Sequence, residues 1–200
     1  PWIRVMAEEA IANKTLVPGR FIAVRKMKES EADGDLPAIV AALDIETVPL
    51  DDDAVVVNVQ GDEPEISPTA IDRLIEMMAE NPAAGMATLC TPIRTPEQLA
   101  NPACVKVVCD ARGRALSFSR SPIPFVRDVE PTKPFNQPAI HFQHLGLYAY
   151  RREVLLNYAS LPPSSLEQAE KLEQLRLLQA GGEILLDTIA HAASGIDTAD

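Results

Sequence analysis

The segment of this chain most suggestive of chemistry is Gln60-Gly61-Asp62-Glu63-Pro64, directly after the apolar run Ala54 to Val59. Open parallel α/β sheets bind ligands beyond the carboxyl ends of their strands, and this loop occupies such a position. Gly61 permits close backbone approach to a ligand, and the Asp62 and Glu63 carboxylates are hard oxygen donors of the kind magnesium takes. A solvated acidic turn is the plain alternative. Asp197, in the turn Gly195-Ile196-Asp197-Thr198, offers either a second metal ligand or the N-cap of a helix. Asp51, Asp52 and Asp53 precede their strand, at the wrong end for a ligand site, and read as solvated.

A second group of polar residues lies further along. On a helix over Ser165 to Ala180, Glu173 falls between Leu166, Ala169 and Leu177 around the axis, with Gln174 beside it. A carboxylate on an apolar side is costly unless it is paired or binds a ligand. Pairing with Arg176 of the same helix is the bland option. His144 and Tyr148 share one face of a strand by the two-residue period and could line a polar pocket or serve only the core. Arg120, in Ser119-Arg120-Ser121-Pro122, has the forked geometry to clamp a carboxylate or phosphate, or is a surface arginine.

The elements that must position these residues alternate between strand and helix. The run Ala54 to Val59 reads as a buried strand. Ser67-Pro68 then marks a helix start, and Ile71, Leu74, Ile75 and Met78 give one apolar face until Asn81-Pro82 ends it. Gly85 to Ile93 is again strand-like, which makes a βαβ unit and an α/β fold with a mostly parallel sheet. Val105 to Asp110 and Ala115 to Phe118 flank a hairpin turn, Ala111-Arg112-Gly113-Arg114. Prolines crowd Ser121 to Pro138, an irregular excursion, and His144 to Tyr150 returns as a strand. Ser164 with Glu167 forms a capping box ahead of a helix that Gly181-Gly182 stops, and Glu183 to Ala190 reads as a last strand.

Composition narrows the function classes. The chain has 200 residues, 46% apolar and 24% charged, enough for one domain with a sizeable core. Eighteen Lys and Arg against 29 Asp and Glu give a net charge of −11, which argues against nucleic-acid binding and against anchoring to an anionic membrane. No apolar run of about 18 residues suggests a membrane span. Cys90, Cys104 and Cys109 are too few for a disulfide framework and read as small buried residues of a reduced cytoplasm. No P-loop, dinucleotide glycine fingerprint or H-E-x-x-H motif occurs.

Taken together, the motifs resemble one family. Val57-Asn58-Val59-Gln60-Gly61-Asp62-Glu63-Pro64, Lys106-Val107-Val108 and Phe118-Ser119-Arg120-Ser121-Pro122-Ile123-Pro124 are similar to motifs of 3-deoxy-manno-octulosonate cytidylyltransferases (CMP-KDO synthetases). So are His144-Leu145-Gly146-Leu147-Tyr148-Ala149-Tyr150-Arg151, Leu172-Glu173-Gln174-Leu175-Arg176 and Gly195-Ile196-Asp197-Thr198, in the family's order and spacing. The resemblance covers roughly residues 54 to 200. It implies a nucleotidyltransferase-like α/β fold over 1–200 with a small antiparallel dimerisation lobe at about 113–165, and a cytoplasmic homodimer. It implies transfer of CMP from CTP to 3-deoxy-manno-octulosonate, releasing pyrophosphate, for lipopolysaccharide synthesis. Asp62 and Asp197 would hold Mg²⁺ as catalytic residues. Gln60, Arg120, His144, Tyr148, Glu173 and Gln174 would line the sugar site, with Arg120 a partner for the sugar carboxylate. In-line attack on a phosphate builds charge that a carboxylate-held cation neutralises, so the residue types suit the chemistry.

The first 50 residues depart from the pattern. The family's loop I-P-A-R-x-x-S-x-R-x-P-G-K-P, whose basic groups hold the triphosphate, has no match here. Pro1-Trp2-Ile3-Arg4-Val5 resembles the family's segment just after that loop, and Phe21-Ile22-Ala23-Val24 resembles the strand before it. Where H-x-S-G-T-D-R would fall, only Asp33-Gly34-Asp35 stands. The nucleotide-binding loops are therefore expected to be missing, either by omission, which would leave Cα gaps well beyond about 3.8 Å, or by rearrangement. Omission is the favoured reading. A cytidylyltransferase for a related acid sugar is the neighbouring alternative. A non-catalytic paralogue that binds a sugar or a partner is the alternative from another class.

Overall fold

A computed structural model describes residues 21–24, 55–59, 67–127, 139–158 and 160–190. Among them are strands β1 (Phe21–Val24), β2 (Val55–Val59), β3 (Met86–Pro92), β4 (Lys106–Cys109), β5 (Ala115–Ser119), β6 (Phe142–Arg151) and β7 (Ile184–Thr188). The helices are α1 (Pro68–Glu80), α2 (Pro96–Ala100), α3 (Arg152–Tyr158), α4 (Ser165–Glu170) and α5 (Gln174–Gln179). The loop 60–66, the segment 128–138 and the turn 195–198 lie outside the described residues, as does nearly all of the stretch in which Cα gaps were expected.

The strands form one mixed α/β sheet in the order β1-β2-β6-β3-β7, with the β4–β5 hairpin attached through β4 to β6. β1 pairs in parallel with β2 and β3 with β7, whereas β6 is antiparallel to both β2 and β3. The βαβ reading therefore needs one correction. β2 and β3 do point the same way across α1, but β6 sits between them and takes both sets of hydrogen bonds. β1, β2, β3 and β7 consequently end at the same edge of the sheet.

Alternation along the strands divides the core in two. Val55, Val57, Ala87, Leu89, Leu145, Leu147 and Ala149 pack with Leu74, Ile75 and Met78 of α1 on one face. Val56, Met86, Cys90, Tyr148 and Tyr150 pack on the other with Phe118, Leu155, Tyr158, Leu172 and Leu175. Helix α1 ends at Asn81 as its Asn-Pro pair requires, and the Arg151 guanidinium donates to the Met78, Asn81 and Ala84 carbonyls there. Ser67 occupies the N-cap position but its hydroxyl bonds Thr69 instead of capping. Cys90 and Cys104 are buried thiols as expected, and burial pushes Cys90 up to about 11; Cys109, in contrast, is exposed. Among the described residues, no helix is long and apolar enough to cross a membrane.

The expected single helix over 165–180 is two helices. α4 closes at Lys171, which takes a left-handed conformation (φ 54°, ψ 48°), and α5 starts from Glu173. Both ends are well specified. The Ser164–Glu167 capping box forms as read, and Gly181 (φ +83°) and Gly182 return their N–H groups to the Leu178 and Leu177 carbonyls in a Schellman arrangement.

Candidate active site

The break between α4 and α5 is what brings the polar residues together. Glu170, the last residue of α4, accepts from the Ser119 hydroxyl at 2.7 Å and from the Arg120 N–H at 2.9 Å. These two bonds, the Arg120 N–H first, hold its carboxyl below the ordinary value. Arg120 in turn donates through Nε to the Glu170 carbonyl (2.7 Å) and through its terminal nitrogens to the Pro102 and Lys171 carbonyls (3.1 and 3.3 Å). The anticipated carboxylate clamp is thus engaged by backbone at the end of β5. Beneath it the wholly buried Lys106 donates from Nζ to the Asn101, Cys104 and Arg120 carbonyls at 2.8, 2.7 and 2.7 Å.

Glu173 departs from its sequence reading. Leu166 and Ala169 are exposed and lie beyond the break at Lys171, whereas Leu177 packs against the core, and Glu173 itself is half-buried. Arg176 does not pair with it. That guanidinium meets Glu167 through two bonds and lies over the Tyr158 ring at 5.1 Å. The Glu173 carbonyl instead accepts from the Tyr158 hydroxyl at 2.5 Å, which fixes the start of α5. Beside it Gln174 is buried, and its Nε2 has no hydrogen-bond partner; the buried Tyr150 hydroxyl is in the same position.

The Arg176–Glu167 pair holds the two short helices together, so it supports the placement of Glu173 and Gln174. Burial raises the Glu167 carboxyl, but the Arg176 guanidinium, the Ser164 N–H and the nearby cations outweigh it and leave the carboxyl below its ordinary value. Glu167→Gln keeps the capping box and one acceptor but removes the charge. We expect it to lower unfolding free energy by about 1.5 kcal/mol, read from the urea midpoint at pH 7. A shift indistinguishable from zero would mean that the pair adds nothing.

His144 and Tyr148 share a face of β6, as their spacing required, with ring centroids 5.1 Å apart. Phe118 presents an edge contact to the imidazole at 5.0 Å. Both His144 and Tyr148 are buried, and burial brings the imidazole down to about 3, so it is neutral at physiological pH. His144 Nε2 lies 2.9 Å from the Thr88 hydroxyl of β3. Of the residues expected to line a site, Arg120, His144, Tyr148, Glu173 and Gln174 are described: Arg120 directly follows β5 and bonds the helical break, His144 and Tyr148 lie on β6, and Glu173 and Gln174 begin α5. Gln60, Asp62 and Asp197 lie outside the described residues. Among the described residues no group of His, Cys, Asp and Glu could hold a metal ion.

Sequence reasoning named Lys106 and Ser119 only as members of motifs and passed over Thr88, Tyr158 and Glu170, although all of them fix the others in place. A lysine at the start of a short apolar strand was the one legible hint, because it must bury a charge or break the alternation.

Comparison with known proteins gives a consistent result. A cytidylyltransferase family model matches residues 10–184. The chain is 48% identical over 148 residues to the 3-deoxy-manno-octulosonate cytidylyltransferase of Geobacter sulfurreducens, covering 72% of this chain and 59% of that protein. It is 50% identical over 148 residues to that of Chloroherpeton thalassium (73% and 58%), and 47% identical over 142 residues to that of Escherichia coli (71% and 54%). A solved CMP:2-keto-3-deoxy-manno-octonic acid synthetase complexed with CTP superposes with a TM-score of 0.71 and 41% identity, over 82% of this chain and 64% of that one. The chain thus spans less than two thirds of the length of these relatives. Matched over most of its length by the family model, it belongs to the cytidylyltransferase family.

Proposed function

We propose that the whole protein transfers CMP from CTP to 3-deoxy-manno-octulosonate, yielding the CMP-sugar and pyrophosphate for lipopolysaccharide synthesis in the cytoplasm. The observation that carries this reading is the polar wall of Arg120, His144, Tyr148, Glu173 and Gln174 on one side of the sheet, in a chain with relatives so named. A polyhydroxy acid sugar supplies what that wall lacks. Its hydroxyl oxygens can accept from the orphaned Gln174 Nε2, its hydroxyl protons suit a neutral imidazole, and its carboxylate suits the Arg120 guanidinium once that fork turns from its carbonyls. Gln60 would join this sugar site from the loop after β2.

Asp62 and Asp197 would hold Mg²⁺. Both are carboxylates, and they follow β2 and β7, strands that end at the same sheet edge. The cation would neutralise charge on the phosphate as it is attacked. A homodimer through the lobe at about 113–165 accords with Phe125, within the proline-rich excursion, and Ile140, just after it, which are 87% and 52% exposed.

The test is pyrophosphate release from CTP with 3-deoxy-manno-octulosonate and Mg²⁺, using the full-length gene product. Release that depends on both substrates and is abolished by Asp62→Asn is expected. Release only with another acid sugar would select the related transferase. Saturable sugar binding without release would select the binding paralogue.

A further inference from the structure

We infer that Thr88 is a positioning residue of this site: its hydroxyl holds His144 as the Nε2–H tautomer and so presents Nδ1 as an acceptor for a hydroxyl of the acid sugar. The inference rests on the proposed sugar site and on a count of protons. The Thr88 oxygen lies 2.8 Å from the Leu147 carbonyl, the nearer of two backbone acceptors, and 2.9 Å from His144 Nε2. A hydroxyl has one proton. A carbonyl can only accept, so that proton goes to Leu147, because an unprotonated contact of 2.8 Å between two oxygens would be repulsive. The Thr88 oxygen must then accept from Nε2, which must carry the ring proton. Since the buried ring is neutral, Nδ1 is left with a lone pair.

The geometry around the pair leaves little freedom. Thr88 is fully buried and stands opposite Tyr148 in the β3–β6 register, four residues from His144 along β6. The ladder is irregular between Thr88 and Cys90, and Cys90 is the residue opposite His144. Phe118 and Tyr148 flank the imidazole through their rings and leave its hydrogen bonding to Thr88. A fixed acceptor tells a sugar hydroxyl from a keto or ether oxygen, whereas an imidazole free to exchange tautomers does not.

Long-range proton–nitrogen correlation spectra of the full chain test this directly. The chain has three histidines, so His144 is assigned by loss of its signals in His144→Gln. Wild type and Thr88→Ser are expected to show His144 as Nε2–H only, and Thr88→Val to show a mixture of tautomers. Adding 3-deoxy-manno-octulosonate should move the Nδ1 resonance of wild type, and Thr88→Val should bind the sugar about tenfold more weakly, with Thr88→Ser restoring it. Nδ1–H in wild type overturns the inference. So does sugar binding that leaves the Nδ1 resonance unmoved, or a Thr88→Val variant with wild-type tautomer and affinity. The spectra need no turnover, so a protein that binds sugar through Nδ1 yet releases no pyrophosphate would refute the transferase reading alone.

Discussion

Lowering the pH from 7 to 5 is expected to cost the folded chain about 2 kcal/mol through His144 alone. Burial brings the ring from its ordinary 6.5 to about 3 in the folded protein. Below 6.5 the unfolded chain takes up a proton that the folded one refuses until about 3. The unfolded state therefore binds more protons throughout that window, and stability falls as pH falls. Among the described residues, the carboxylates held below their ordinary values cannot imitate this. Glu167, Glu170 and Asp110 sit below their ordinary values when folded, so their contributions are present above about 4.5 and are lost only at more acid pH. His144→Phe removes the titrating nitrogen while keeping a ring against Phe118 and Tyr148, and leaves Thr88 its bond to Leu147. Urea unfolding of both proteins at pH 7 and pH 5 should show the wild type losing about 2 kcal/mol more than the variant. Parallel losses would mean that the buried ring is protonated or solvated in the folded state.

Local order was legible in this sequence, and long-range order was not. The apolar run ending at Val59, the Ser-Pro start and Asn-Pro end of α1, and the β4–β5 hairpin all follow from neighbouring residues. The insertion of β6 between β2 and β3 does not. It joins residues far apart in the chain, Val55 with Arg151 and Met86 with Tyr150, and no local pattern of His144 to Tyr150 states which strands flank it. The break at Lys171 was hidden for a similar reason. Periodicity runs smoothly through 165–180, but Glu170 is drawn to Ser119 and Arg120, and Tyr158 holds the Glu173 carbonyl. Those distant bonds offset the cost of a left-handed lysine, which no helix propensity records.

The site was legible to the same depth. His144 and Tyr148 share a face because strands alternate, so their pairing could be read from spacing. Thr88 was absorbed into an apolar run, because a hydroxyl that bonds across a sheet looks like any β-branched core residue until its partner is known. Glu173 attracted notice for a wrong reason, its supposed apolar surroundings. The motif resemblance gave Glu173 a role in the sugar site, but neither it nor the periodicity pointed to the break where the residue sits.

Replacing Lys106 with methionine should have a still larger effect, about 3 kcal/mol of unfolding free energy. The side chain is 0% exposed, and burial, the largest influence on it, lowers its pKa from the ordinary 10.5. Its three bonds go to three carbonyls, a demand that an ammonium's three N–H groups meet. Methionine preserves the length and apolar stem but leaves those carbonyls without a donor, at about 1 kcal/mol each where water reaches them in part. Arginine is no rescue, because its planar fork cannot aim at three oxygens around one point. The functional consequence follows from Arg120, which gives its carbonyl to Lys106 and its guanidinium to the 170–171 turn. Loss of the first anchor should loosen the second, so Lys106→Met should bind the acid sugar several-fold more weakly even at temperatures well below its lowered Tm. Urea unfolding and sugar titration on the same preparation separate the two effects. Stability within about 1 kcal/mol of wild type would show that water replaces the ammonium without penalty. Unchanged sugar affinity in a destabilised variant would show that Arg120 is positioned by Glu170 alone.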